Sequence, residues 1–136
     1  MCPRDLAKIG YLYLKGGHWY GEQILSKEWV EASTKRQIQM TWNGFVADPY
    51  GYGWFVQPFG FHSLGYQGQY LFVLPAIETV VVFTAELALH ELELPIKWVR
   101  RYIIPAVATT QFLPDDSAGM MTLRDEIQQF NATPFW

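Results

Sequence analysis

Leu6, Ile9 and Tyr13 recur at helical spacing through PRDLAKIGYLYLK, and this period predicts a first helix from Pro3 to Lys15. Pro3 suits a first helical position, Asp5 complements the positive end of the helix, and Gly16-Gly17 stop it. HWYGEQIL reads as a turn with a short extended piece. Ser26 then stands where it can cap a short helix, KEWVEAS, whose Trp29 and Val30 are expected to face inward. From Thr34 to Asp48 no period is found, and the expectation is a long surface loop.

Beyond that loop the pattern changes. YGYGWFVQ, residues 50 to 57, interleaves glycine with aromatics, as in a strand closely approached by another element, and PFGFHS reads as a turn. Tyr70 to Leu74 and Thr79 to Thr84, joined at Pro75-Ala76, read as an antiparallel hairpin. Its three consecutive valines suit a strand covered on both faces or packed against helices on one. ELPIKWVRRYII sets Ile96, Val99, Tyr102 and Ile103 on one helical stripe with Lys97, Arg100 and Arg101 opposite, ending at Pro105 and packing across the sheet. The remainder, FLPDDSAGMMTLRDEIQQFN, predicts a solvated linker and a last helix with Met121, Leu123 and Ile127 on its apolar side. The order helix, helix, three strands, helix predicts an α+β fold, an antiparallel sheet with packed helices, over residues 1–110, followed by the linker and amphipathic helix over 111–136. Three strands leave bare edges, from which self-association and a longer parent chain are expected.

Composition narrows the chemistry. A chain of 136 residues with 50% hydrophobic and 17% aromatic residues can bury a real core. Ten basic against thirteen acidic residues give a net charge of −3, which supplies no field for nucleic acid. One cysteine, Cys2, excludes an internal disulfide framework, and His18, His62 and His90 are too scattered to predict a metal site; no cofactor is expected. No apolar run reaches membrane-span length, and Arg4, Asp5 and Lys8 stand where a signal peptide would need its apolar centre.

One stretch stands apart. In SLGYQGQYLFVLP, residues 63 to 75, two glycines and two glutamines precede a smooth apolar strand. Glycine weakens a ladder, so Gly65 and Gly68 point either to close backbone approach or to a bulged turn. Together, PRDLAKIGYLYLKGGHWYGEQILSKEWVEAST, YGYGWFV, GYQGQYLFVLP and TVVVFT, in this order and spacing, resemble the C-terminal part of the serine β-lactamase-related hydrolases, a family that includes class C β-lactamases and penicillin-binding carboxypeptidases. The resemblance covers roughly residues 1–105. It implies a sheet flanked by helices, an extracytoplasmic parent, and acyl transfer in which a serine of S-x-x-K attacks a carbonyl and backbone N–H groups hold the oxyanion. Ser63-Leu64-Gly65 falls where that family has a K/H-T/S-G triplet on the inner edge strand of its sheet. The resemblance therefore implies Tyr66 N–H as one oxyanion donor, Gly65 as the point of carbonyl approach, and Gln67, Gly68 and Gln69 as the adjoining wall. Ser63 and Leu64 supply no cation for a β-lactam carboxylate, so an ester or uncharged amide is the expected substrate.

His62 lies beside this stretch and reads as a solvated loop residue or a substrate contact. Tyr52 and Trp54 either line a cleft or pack the core. No serine is followed three residues later by lysine: Ser26 precedes Trp29, Ser33 Arg36, Ser63 Tyr66 and Ser117 Met120. The isolated chain is thus expected to be inactive, and a non-catalytic module binding a peptide or small molecule is the alternative.

Overall fold

The computed structural model describes residues 2–42, 45–108 and 117–132. Helix α1 (Pro3–Leu14) is followed by a two-stranded hairpin, β1 (His18–Trp19) and β2 (Glu22–Gln23), turned at Tyr20 and Gly21, both with positive φ. In α2 (Lys27–Ser33), Ser26 Oγ accepts from Trp29 N–H at 3.1 Å, a cap worth about 1 kcal/mol. Val30 is buried, but Trp29 is 47% exposed and stacks on Tyr52 with centroids 5.7 Å apart. The inward placement expected for Trp29 is therefore corrected: a seven-residue helix buries only Val30 and Ser33.

Six antiparallel strands, not three, form the main sheet, and their spatial order is the chain order, β3-β4-β5-β6-β7-β8. The expected loop from Thr34 to Asp48 contains β3 (Ile38–Trp42) and the start of β4 (Phe45–Tyr50), an antiparallel pair whose register shifts between Gln39 and Thr41. Ile38, Met40 and Trp42 alternate with polar residues, but the shift and Pro49 within β4 interrupt the period along the pair. Only Phe55–Gln57 of the 50–57 stretch is strand β5, and most of the expected turn PFGFHS is strand β6 (Gly60–Leu64). The expected hairpin is present as β7 (Tyr70–Leu74) and β8 (Thr79–Phe83), in register from Tyr70↔Phe83 to Leu74↔Thr79.

All five β7 side chains are buried, and they divide by alternation between two apolar layers. Leu71 and Val73 join Trp54 and Phe61 beneath Leu6, Tyr13 and Leu14 of α1. Tyr70, Phe72 and Leu74 meet Val99, Ile96, Ile103 and Ile104 on the opposite face. The second layer comes from a helix that begins as α3 (Leu94–Trp98), passes through a π-turn (Val99–Ile103) and continues as α4 (Ile104–Ala108). The expected stop at Pro105 is corrected, since the wider turn just before it lets the helix run past a residue that cannot donate. Tyr102 faces outward beneath the Arg101 guanidinium, 5.5 Å from its ring, so it leaves the apolar stripe. Helix α5 (Ser117–Ala132) closes the described chain with Met121 exposed; the Leu123 and Ile127 side chains and the 110/111 boundary lie outside what is described. No helix among the described residues is long and apolar enough to cross a membrane.

Candidate active site

Strand β6 pairs with β7 along Phe61–Leu64, but with β5 only along Gly60–His62. Its last two residues, Ser63 and Leu64, therefore have no ladder partner on the β5 side. This local free edge runs into a tight turn, Tyr66–Gly68, closed by Gly65 N–H donating to Gln69 O at 2.7 Å. Gln67 sits at φ 55° and Gly68 at φ 92°, where a Cβ on Gly68 would also lie 2.8 Å from Leu87 Cδ1. Gly68 is thus required by left-handed backbone and by the segment packed on it. That segment is held by Leu87 N–H donating to Gln67 O at 2.9 Å and by Gln69 Nε2 donating to Ala85 O.

A cavity of about 630 Å³ opens over this turn. Leu64, Gly65, Tyr66 and Gln67 form one wall; Met40, Tyr50 and Phe55 form a second, and Leu87, Ala88, Leu89 and Leu92 a third. No charged side chain lines it among the described residues. Tyr66 is 84% exposed, and no described residue accepts from its N–H. Tyr66 thus lines the cleft with a main-chain N–H that no described residue engages.

Not every residue singled out from sequence arrives there. Trp54 is 5% exposed and packs on Tyr13 and Phe61, with centroids 4.7 and 5.0 Å away, on the α1 side of the sheet. It is a core residue. Ser63 pairs with Leu71 and shares its alternation with Phe61, so it belongs to that same face. Gly68 and Gln69 support the turn from behind. Tyr52 stacks on Trp29 at the surface. Met40, Tyr50 and the 87–92 segment were not identified from sequence; the alternation around Met40 is the one available signal.

His62 is also corrected: it is neither solvated nor in a loop. It lies in β6, 2% exposed, stacked on Phe55 at 5.2 Å and tilted against Phe72 at 5.0 Å. Burial lowers its pKa to about 4, so the ring is neutral near pH 7, and its Nδ1 has no hydrogen-bond partner. Burial likewise raises the Asp48 carboxyl above its ordinary range, Glu93 adding to this, and raises the Tyr70 phenol to about 12.

Residues 1–94 match the family model described as Beta-lactamase. No curated protein matches the chain.

Proposed function

The chain belongs to the beta-lactamase family, and on that premise we propose that it provides the oxyanion-hole strand of a serine acyl-hydrolase, acting on an ester or uncharged amide. The Tyr66 N–H, which no described residue engages, in the lining of the cleft carries this reading. In acyl transfer the carbonyl oxygen becomes an anion, and a fixed main-chain donor in a low-dielectric wall stabilises that charge without reorganising. Gly65, without a side chain, lines the same wall of the cleft as Tyr66. Leu64, Leu87 and Leu89 favour an apolar acyl or leaving group, and no cation among the described residues lines the cleft to meet a β-lactam carboxylate.

The nucleophile is not supplied by any serine followed at the third position by lysine. That sequence fact favours the second reading, a binding module of the same fold that holds a small molecule or peptide in the cleft. The two readings part in one experiment. Alone, the chain is expected to hydrolyse neither a chromogenic β-lactam nor a short-chain nitrophenyl ester above the buffer blank. Preceded in one polypeptide by an S-x-x-K helix and a Y-x-N loop from a family member, it is expected to turn over the ester. Activity of the lone chain that follows the protein through purification would refute the division of labour. A folded, inactive joined polypeptide would leave the binding module as the reading.

A further inference from the structure

Leu64, Phe55 and Leu92 line a second cavity as well as the cleft, so the two adjoin across these side chains. This second cavity, about 270 Å³, differs from the first in its polar groups: Asp48, His62, Tyr70 and Glu93 all face it. Those groups are rich in acceptors. Asp48 Oδ2 accepts from Gln57 Nε2, leaving Oδ1 available, and Glu93 Oε2 accepts from Lys97 Nζ at 2.9 Å, leaving Oε1. Tyr70 donates its proton to Leu92 O, so its oxygen can only accept further. His62 Nδ1 is buried with no partner, a costly arrangement that an incoming donor would relieve in the neutral tautomer that carries its proton on Nε2.

Two carboxylates facing one small cavity repel each other, and Lys97, on the exposed side of Glu93, is the cation bonded to them among the described residues. A further positive charge is what the cavity lacks. A bare metal ion does not suit it, since no group of three or more His, Cys, Asp or Glu among the described residues could hold one. The acceptors are spread around a space that calls for several N–H donors and an apolar stem.

We propose that the cavity formed by Asp48, His62, Tyr70 and Glu93 binds a primary alkylammonium group whose carbon chain passes Leu64 into the cleft. Three N–H donors meet carboxylate, imidazole and phenol acceptors, and the methylenes lie against Phe55, Leu64 and Leu92. As a statement about substrate, which would then be an amine-bearing ester or amide, this rests on the acyl-hydrolase reading of the cleft. As a binding site it does not, and a probe without an acyl group separates the two.

The test follows the histidine ring resonances of the whole chain at pH 7.5 while n-butylammonium chloride is added, with n-butanol, sodium chloride and zinc chloride as parallel additions. His18 and His90 are exposed and serve as internal references. The His62 signals are expected to move saturably with n-butylammonium and not with the other three. Asp48→Asn keeps an oxygen for Gln57 and is expected to weaken binding at least about tenfold, the worth of one charge-assisted contact. Glu93→Gln, at an exposed side chain, is expected to weaken it less and carries the test if Asp48→Asn does not fold. A stationary His62, equal response to n-butanol or zinc, or undiminished binding in the folded variants would overturn the proposal. Ester hydrolysis by the joined polypeptide reports on the cleft reading independently.

Discussion

Tyr66→Pro, made in a polypeptide that carries an S-x-x-K helix ahead of this chain, is expected to lower turnover about 100- to 1000-fold, while Tyr66→Phe leaves it nearly unchanged. The contrast isolates the main chain. Phenylalanine keeps the ring and the N–H and removes only a hydroxyl from a side chain that is largely exposed. Proline removes the N–H, and here it can do so gently. Gly65 has φ −99° and ψ 179°, an extended conformation that suits a residue preceding proline, and Tyr66 is the first residue of its turn. Since no described residue accepts from that N–H, no bond among them is lost with it. A thermal melt checks that the proline variant is folded, and kcat for a nitrophenyl ester gives the result. Equal losses in both variants would assign the effect to the phenol. Full activity in a folded proline variant would remove Tyr66 from the oxyanion hole.

The second large effect is acid instability set by His62. Its folded pKa of about 4 lies below the ordinary 6.5, so the unfolded chain binds the proton more tightly. The stability gained from burying the neutral ring is fully present above about pH 6.5 and is lost as pH falls toward 4, amounting to roughly 3 kcal/mol across that window. Asp48 acts in the opposite sense: burial raises its carboxyl, so as pH falls through that raised value toward the ordinary 3.8 the folded chain takes up the proton first, which offsets part of the loss. Tyr70, which faces the same cavity, titrates only near 12 and stays neutral throughout the window. Urea unfolding at pH 7 and pH 4.5 should therefore show a marked loss of stability. His62→Phe, which preserves the stacking with Phe55 and Phe72, should reduce that loss substantially. An unchanged acid profile in the folded variant would show that His62 is not its cause.

Both effects centre on β6 and the turn that follows it, a course only half legible in the sequence. Tyr70–Leu74 and Thr79–Phe83 were readable because each is a continuous apolar run ending at a turn. Helix α1 was readable because Pro3, the apolar spacing and the glycine pair agree about where it begins and ends. The sequence of β6 reads as a turn because Gly60 and the polar pair His62-Ser63 hide an alternation that becomes visible only when Phe61 and His62 are seen facing opposite layers. At Gly65–Gln69 the sequence allows two readings, close backbone approach or a bulged turn, and the structure has a tight turn there. Gly68 answers to backbone conformation and Leu87, while Gly65 lines the cleft and is crowded by Gln69, whose Cβ would lie 3.1 Å from a Cβ added there. The 87–92 wall could not be foreseen, because its leucines join the cleft through a hydrogen bond to Gln67 and not through any local period. His62 escaped for a related reason: burial of a polar ring among aromatics is a tertiary property, and nothing in FHS announces it.

The order of strands in the sheet has a consequence for how the chain acquires its shape. Each neighbouring pair of strands is consecutive in sequence, so the meander can grow by closing one short loop after another, the arrangement that favours rapid folding. Helix α1 is the exception. It packs on β7 and β8, and Lys15 at its end pairs with Glu78 across 63 residues. On a ribosome α1 emerges ahead of the whole sheet, yet the surface that receives Leu6, Tyr13 and Leu14 exists only once the β7–β8 hairpin has left the exit tunnel. Until then its apolar stripe is open to solvent and to chaperones, so a helix synthesised ahead of the sheet is seated only after the sheet's far strands.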